Sequence, residues 1–277
     1  MNKKLFKKVT ILAAILLVLI LHNPLMGTTE DGRKKEISPF SDRERFVYNI
    51  SWFGISAGTA ILEIPEKIKI KDYLKARKIR YMDEKRYPYN KEVYRIISRA
   101  ESSKLFSIFY PVDDRIETII DSEELYPYYI DVRQREGKRK KDKKIIFNQD
   151  SHLAITIKGN KESKHDIPPM VQNSLSCLYY FRTVDDISVD DSVFIDVHEN
   201  GKNWKLEIKM LGKEKVKTPF GYLDTIKTKV LLRFEGIFIN KGDVYIWFTD
   251  DEYRIPVLMK TRIIIGSVTA RLISKRP

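Results

Sequence analysis

The sequence is poor in cysteine, histidine, glycine and proline. Among 277 residues there are one cysteine (Cys177), four histidines, 12 glycines and 11 prolines. One cysteine excludes an internal disulfide framework and a four-cysteine zinc site. The low glycine and proline content excludes collagen-like and linker-rich chains, and a hydrophobic share of 43% excludes a largely disordered chain. The length leaves room for one large domain or two ordinary ones.

The first 27 residues have the pattern of an export signal. Lysines crowd residues 1–8, an apolar run fills residues 9–21, and Pro24 and Gly27 follow as a helix breaker and a small residue for cleavage. A membrane-spanning helix needs about 20 apolar residues. The shorter run therefore predicts a signal peptide over residues 1–27, with an uncleaved anchor as the alternative. We expect a periplasmic protein that is either released there or tethered to the inner membrane.

Apolar and polar residues alternate along most of the chain after residue 44. Residues 28–44 are polar and predict a flexible lead-in, whereas 204–210, 222–234 and 255–265 alternate clearly. Alternation predicts strands with one buried and one solvated face, which is typical of antiparallel sheets. We predict a single, mainly β domain over residues 45–277. It should be a highly curved antiparallel sheet or barrel-like body with one principal helix packed on it.

Turn signals and two irregular segments complete this prediction. Asn200-Gly201 predicts a tight β-hairpin, and the shift of apolar parity at Gly266 predicts a bulge within one long strand. Residues 169–183 have prolines at their start and apolar residues at helical spacing, so they predict the principal helix. Residues 66–92 are rich in lysine and have little clear period. They predict a loop with a frayed strand.

Several separated motifs resemble one family of exported proteins of Gram-negative bacteria. The motifs are WFGISAGTA at 52–60, LSCLYYFR at 175–182, TPFGYLDT at 218–225, IWFTDD at 246–251 and IGSVTA at 265–270. In this order, from about residue 46 to 272, they resemble the family called "domain of unknown function 3108". The resemblance implies an exported, mainly β protein. It supplies no reaction and no catalytic residues.

No constellation of residues points to catalysis or metal binding. Asp250 and Asp251 are adjacent where a hairpin should turn, and Asp is common in turns because it bonds nearby backbone amides. His198 precedes a predicted turn and is expected to be exposed to solvent. Ser174 and Ser176 lack the Gly-x-Ser-x-Gly frame of a hydrolase nucleophile. We therefore predict no catalytic residue, no metal site and no cofactor, and an envelope hydrolase is only a minor alternative.

The densest positive charge lies at residues 133–144, around a predicted hairpin turn at Gly137. Two basic arms of a hairpin would suit lipid phosphates or anionic sugars, whereas export argues against a nucleic acid partner. The alternative is a solvated edge hairpin whose lysines prevent pairing with another sheet. The candidates for contact with an anionic surface are Arg133, Arg135, Lys138, Arg139, Lys140 and Lys141.

Aromatic residues form 11% of the chain, and some require an explanation. Tyr245 and Trp247 share one face of a predicted strand whose other face is also apolar, so both faces need cover. Either the helix covers the second face, or the sheet encloses an apolar cavity for a lipid or acyl chain. Phe238 belongs to an apolar hairpin tip. The candidates for ligand contact are Trp52, Tyr179, Phe238, Tyr245 and Trp247.

These observations favour a non-enzymatic protein of the cell envelope. It would bind a lipid-like or glycan-like ligand, or contact a membrane peripherally, through apolar residues with basic surroundings. The alternative is a structural or assembly factor that acts through contacts with another envelope protein.

Overall fold

The computed structural model describes residues 39–41, 43–77, 79, 82, 87–234, 237–238, 244–262 and 266–276, with only the backbone at 232–234 and 237–238. The predicted signal peptide and most of the lead-in lie outside these ranges. Within them, no helix is long and apolar enough to cross a membrane.

Sixteen strands and three short helices form the described chain. The strands are β1 (Arg45–Trp52), β2 (Ile55–Glu63), β3 (Lys67–Lys69), β4 (Glu92–Ser102), β5 (Asp113–Asp121), β6 (Pro127–Glu136), β7 (Arg139–Asn148), β8 (Leu153–Lys158), β9 (Lys161–Asp166), β10 (Ser192–Glu199), β11 (Lys202–Thr218), β12 (Gly221–Phe234), β13 (Ile237–Phe238), β14 (Val244–Thr249), β15 (Pro256–Arg262) and β16 (Ser267–Arg276). The helices are α1 (Ile70–Arg77), α2 (Lys104–Ser107) and α3 (Ser176–Arg182).

All strands belong to one antiparallel sheet. Its order is β10-β11-β12-β14-β15-β16-β1-β2-β4-β5-β6-β7-β8-β9, with β13 beside β12 and β3 beside β4. The first and last strands pair at the middle of this path, so β9 and β10 form its two edges. No ladder joins these edges among the described residues. The mainly β, antiparallel prediction is confirmed, and so is the hairpin at Asn200-Gly201, between β10 and β11.

Side chains connect the two edges of the curled sheet. Asn203 donates a hydrogen bond from Nδ2 to the carbonyl of Asp166 at 2.8 Å. The rings of His165 and His198 lie 5.6 Å apart, and Lys143 forms a buried ion pair with Glu199. The curl is therefore closed by side-chain contacts, although its backbone ladder is open.

The register defines two ends of the sheet. Val230, Val244, Thr261, Val268 and Trp52 follow one another as partners across neighbouring strands. We call this end the tip end. It carries the β1–β2, β6–β7, β8–β9, β10–β11 and β15–β16 turns and the connection through α2. The opposite end, which we call the base, carries the start of β1 and the connection through α3.

Helix α3 is enclosed by the sheet rather than laid on it. Tyr179, Phe181 and Arg182 are almost completely buried, and the ring of Phe181 lies 4.9 Å from that of Phe248 in β14. One hydrophobic cluster joins α3 to inward residues from both halves of the sheet. The interior around α3 is therefore filled by side chains.

The predicted helix at 169–183 begins later than expected. Asn173 accepts hydrogen bonds through Oδ1 from the amides of Leu175 and Ser176, both at 2.9 Å, and donates from Nδ2 to Thr118 in β5 at 2.8 Å. This buried side chain thus holds the turn that leads into the helix, which starts at Ser176. The residues before it follow the edge of β10, where Gln172 forms a parallel bridge with Val197. The prolines therefore belong to the loop and turn that precede this bridge.

The lysine-rich segment 66–92 is not simply a loop with a frayed strand. It contains β3 and the helix α1, whose Ile70, Tyr73 and Leu74 are buried. These side chains join a second hydrophobic cluster with Tyr129 and Ile146, which stand on the outward face of the sheet. The i, i+3, i+4 spacing of the apolar residues in α1 is the helical signal that the many lysines obscured.

The predicted bulge at Gly266 is wrong. Arg262 pairs with Ser267, so the chain reverses here and forms two antiparallel strands, β15 and β16, in place of one long strand. Gly266 has φ +84°, and an added Cβ would lie 2.4 Å from the ring of Phe53. A reversal shifts the apolar parity just as a bulge does, which explains the misinterpretation.

A buried ion pair connects the lead-in to α3. Both guanidinium nitrogens of Arg182 donate to the carboxylate of Glu44 at 2.7 Å, and Nε donates to the carbonyl of Tyr253 at 3.1 Å. The rings of Phe40 and Tyr179 lie 4.8 and 5.3 Å from the guanidinium carbon. Three separate parts of the chain therefore meet at one buried charge.

We expect Glu44→Gln to lower the free energy of unfolding by about 3–5 kcal/mol, because it leaves a buried guanidinium without its counter-charge. Urea denaturation measures this loss. The control is Glu63→Gln, because the partners of Glu63, Arg45 and Arg99, are about 40% exposed and such pairs contribute about 0–1 kcal/mol. Equal losses in the two variants would contradict the central role of the buried pair.

Candidate functional site

Large apolar side chains are exposed together at the tip end. Phe53 and Ile55 lie in and after the β1–β2 turn, and Leu105, Ile108 and Phe109 lie in and after α2, with exposed fractions from 58% to 75%. We call these five residues the apolar tip. Concentrated exposure of this kind marks a site of interaction, whereas single exposed apolar residues are ordinary.

Trp52 joins the two loops that form the apolar tip. Its ring lies 5.1 Å from that of Phe53 and 5.8 Å from that of Phe106 in α2. Phe53 and Gly54 both have positive φ, which makes a tight two-residue turn that leaves the ring of Phe53 outside. The half-buried Trp52 therefore packs beneath the exposed residues, and only part of its own surface is exposed.

The predicted basic hairpin is confirmed as β6–β7, and its turn lies beside the apolar tip. The amide of Gly137 donates to the carbonyl of Pro111 at 2.8 Å, and an added Cβ on Gly137 would lie 2.9 Å from the ring of Tyr110. Both contacts connect the hairpin to the segment that follows α2. A hollow of about 340 Å³ lies between the hairpin and this segment and includes Ser107 and Arg135 among its lining residues.

The six basic candidates separate into three groups. Lys138, Arg139 and Lys140 are exposed around the turn of the hairpin. Arg133 is paired with Asp113, and Arg135 binds both carboxylate oxygens of Asp142 at 2.7 and 2.9 Å. Lys141 points inward, because it shares the face of β7 that carries the buried Lys143 and Ile145. The first group is therefore exposed at the turn, beside the apolar tip.

The five ligand-contact candidates do not come together. Tyr179 is buried beside Arg182, and burial raises the pKa of its hydroxyl. The backbone of Phe238 runs in β13 near the tip end, but its side chain lies outside the described residues. Among the candidates whose side chains the structure describes, Trp52 contacts the apolar tip.

Tyr245 and Trp247 lie on the outward face of β14, where charged residues cover them. The ammonium of Lys227 lies 5.1 Å from the ring of Trp247 and 5.9 Å from that of Tyr245, and the indole N–H donates to Glu214. Helix α3 contacts the opposite face through Phe248. Lysine stems, rather than the helix or a cavity, therefore cover this second face.

Two predictions about polar residues have different outcomes. The turn at Asp250-Asp251 is confirmed, since Asp251 Oδ1 accepts the amides of Tyr253 and Arg254 at 3.0 and 3.1 Å. The expected exposure of His198 is wrong: its side chain is fully buried, its Nδ1 lies 2.7 Å from Asn203 Oδ1, and burial lowers its pKa to about 4. The β10–β11 turn lies against β9, so His198 faces that strand instead of water.

A buried pair of carboxyl groups lies inside the tip end. Asp114 and Glu136 are 2% and 5% exposed, lie within hydrogen-bonding reach of each other, and Asp114 accepts the amide of Arg135 at 2.7 Å. Burial, and then Asp114, raise the pKa of Glu136 to about 7. The pair therefore shares a proton near neutral pH. The signal in the sequence was parity, because Asp114 alternates in phase with the buried Ile116.

Ser176 and Cys177 both lie in structural surroundings at the start of α3. Ser176 accepts the amide of Asn173 within the turn that leads into α3, which gives it a structural contact. Burial raises the pKa of the Cys177 thiol to about 12. Among the residues that the structure describes, no three acidic, histidine or cysteine side chains meet as a metal site would require.

Residues 47–273 match the family described as "protein of unknown function (DUF3108)", so the chain belongs to that family. This confirms the resemblance seen in the sequence motifs. No curated protein matches the chain.

Comparison with solved structures extends the likeness in fold. The chain is similar to a β-barrel-like protein of domain of unknown function DUF1849 from Brucella abortus, with a TM-score of 0.51 and 8% identity over 84% of this chain and 97% of that one. It also matches a Bacteroides fragilis protein with a YmcC-like fold, with a TM-score of 0.36 and 9% identity over 86% and 98% of the two chains. At such identities the likeness concerns the fold alone.

We expect the stability of the protein to fall relative to that of Glu136→Gln as the pH rises from about 5 to about 8. The pKa of Glu136 is raised from 4.5 to about 7 by folding, so the folded state binds this proton more tightly than the unfolded chain. The resulting stabilisation is complete below pH 4.5 and is lost as the pH passes about 7. Burial is the main cause of the raised pKa, Asp114 adds to it, and the charges of Arg139 and Lys141 oppose it.

Urea denaturation of both proteins at each pH measures this difference. A difference between them that stays constant with pH would contradict a shared proton at the carboxyl pair.

Proposed function

We propose that this protein is a non-enzymatic, exported envelope protein that attaches to an anionic lipid surface through its tip end. The observation that carries the proposal is the apolar tip: five large apolar side chains stand 58% to 75% exposed on neighbouring loops. Export is proposed from the pattern of the first 27 residues.

The energetics of the apolar tip favour a lipid surface. Full burial of one such side chain is worth about 1.5–3 kcal/mol, and each lysine or arginine near an anionic membrane adds about 1 kcal/mol. Stable attachment generally needs two signals of this kind. Lys138, Arg139 and Lys140 supply the second signal beside the first.

The interior offers less support for a carrier of lipid chains. The helix α3 and the inward residues of the sheet form one hydrophobic cluster around the buried Arg182. A lipid held inside would have to displace these side chains. Contact at the surface of the tip end needs no such rearrangement.

An assembly factor that binds another envelope protein would use the same exposed residues. The basic hairpin favours the lipid surface, because it places cations immediately beside the apolar tip. A glycan-like ligand has weaker support, since Tyr245 and Trp247 are covered by Lys227.

The test is binding of the purified protein to vesicles of phosphatidylethanolamine and phosphatidylglycerol, measured by co-sedimentation. We expect the double variant Ile108→Ser, Phe109→Ser to lower the partition coefficient by at least about tenfold, because it removes two inserting side chains. Both positions are exposed, so we expect the fold to persist.

The matched control is the double variant Phe220→Ser, Tyr222→Ser. These residues lie at the β11–β12 turn at the base and are 46% and 67% exposed. The control should bind like the unchanged protein. Equal losses in the two double variants, or no binding by the unchanged protein, would overturn attachment through the tip end. Capture of one envelope protein at residues 108–109 without vesicle binding would favour the assembly factor.

A further inference from the structure

Three lysines face inward next to one another near the tip end. Lys141 and Lys143 lie on the face of β7 that points into the curl, in phase with the buried Ile145. On β8, Lys158 is in phase with the buried Ala154 and Thr156. Because Lys144 pairs with Ile157, the next position of the register sets Lys143 beside Lys158. Like charges are thereby collected on adjacent strands.

The acids that face this cluster do not balance it. Lys143 is fully buried, forms an ion pair with Glu199, and lies 3.4 Å from Oδ1 of Asn200. The remaining facing acids are Asp114 and Glu136, which act on Lys141 and share one proton. The Lys143–Glu199 pair balances itself, so Lys141 and Lys158 face about one negative charge. Burial and the charge of Lys158 lower the pKa of the nearby His165.

The three lysine side chains become more exposed from the interior towards the solvent. The side chain of Lys143 has no exposed surface, Lys141 is half-buried, and Lys158 is exposed at the opening. In the part of the chain that the structure describes, neither Lys141 nor Lys158 forms an ion pair with a carboxylate. Their ammonium groups remain available to an anion that enters from the solvent.

We infer that Lys141 and Lys158 bind a phosphate-type anion at the opening of the tip end, with the Lys143–Glu199 pair as the floor of the site. An anion placed between the two ammonium groups would offset the repulsion among the lysines and receive charge-assisted hydrogen bonds. The same chemistry fits free phosphate and the phosphate of a lipid headgroup.

The anion site does not rest on the attachment proposed above. It uses inward residues of β7 and β8, whereas the attachment uses exposed side chains of the β1–β2 turn, of the segment at α2 and of the turn of the β6–β7 hairpin. Vesicle binding and anion binding can therefore fail separately.

The test is calorimetric titration of the purified protein with inorganic phosphate, at an ionic strength held constant with sodium chloride. We expect a saturable isotherm with one site. Lys141→Met and Lys158→Met should each weaken binding by about tenfold, because each removes one charged donor. The matched control is Lys144→Met, which removes the same charge from the outward face of the same strand and should leave binding unchanged.

A second arm identifies the source of the phosphate group. Dihexanoyl phosphatidylglycerol, which is soluble in water, replaces inorganic phosphate in the same titration. At least tenfold tighter binding of the phospholipid supports the site with a headgroup as its ligand, and equal or weaker binding supports it with free phosphate. Equal effects of Lys158→Met and Lys144→Met, or a response that never saturates, would overturn the inference.

Discussion

The packing of α3 inside the curled sheet depends on the buried charge of Arg182. A guanidinium in such surroundings costs several kcal/mol unless it is paired and hydrogen-bonded. Glu44 supplies the pair, the carbonyl of Tyr253 accepts the remaining donor, and aromatic rings cover the group. The need to pair this buried charge holds α3 inside the sheet, because Glu44 and the carbonyl of Tyr253 lie there. The enclosed helix and the side chains packed on it then fill the interior around α3.

Because side chains fill the interior around α3, function is better sought on the surface. Two apolar parts of the outward face are covered by packing. The cluster around α1 covers Tyr129 and Ile146, and lysine stems cover Trp247. The apolar tip has no such cover among the described residues. Packing therefore accounts for most of the large apolar side chains but not for Ile108 and Phe109.

The alternation of β7 separates two kinds of positive charge that are neighbours in the sequence. Lys140 points to the solvent beside the apolar tip, whereas Lys141 points into the opening with Lys143. The first suits a broad anionic surface, and the second suits one small anion. The two proposals therefore use opposite faces of the same strand.

Local pattern alone determined the antiparallel strands, the Asn200-Gly201 and β6–β7 hairpins and the Asp251 turn, because alternation and turn chemistry act between residues close in the chain. The short motifs between residues 52 and 270 were also enough to recognise the family. Only the tertiary structure decided that the base of β9 meets the β10–β11 turn, which buries His198, and that Glu44 meets Arg182. It likewise decided that Asp114 meets Glu136 and that Lys143 lies beside Lys158. These contacts depend on the curl and register of the whole sheet, a long-range property that no short window of residues contains.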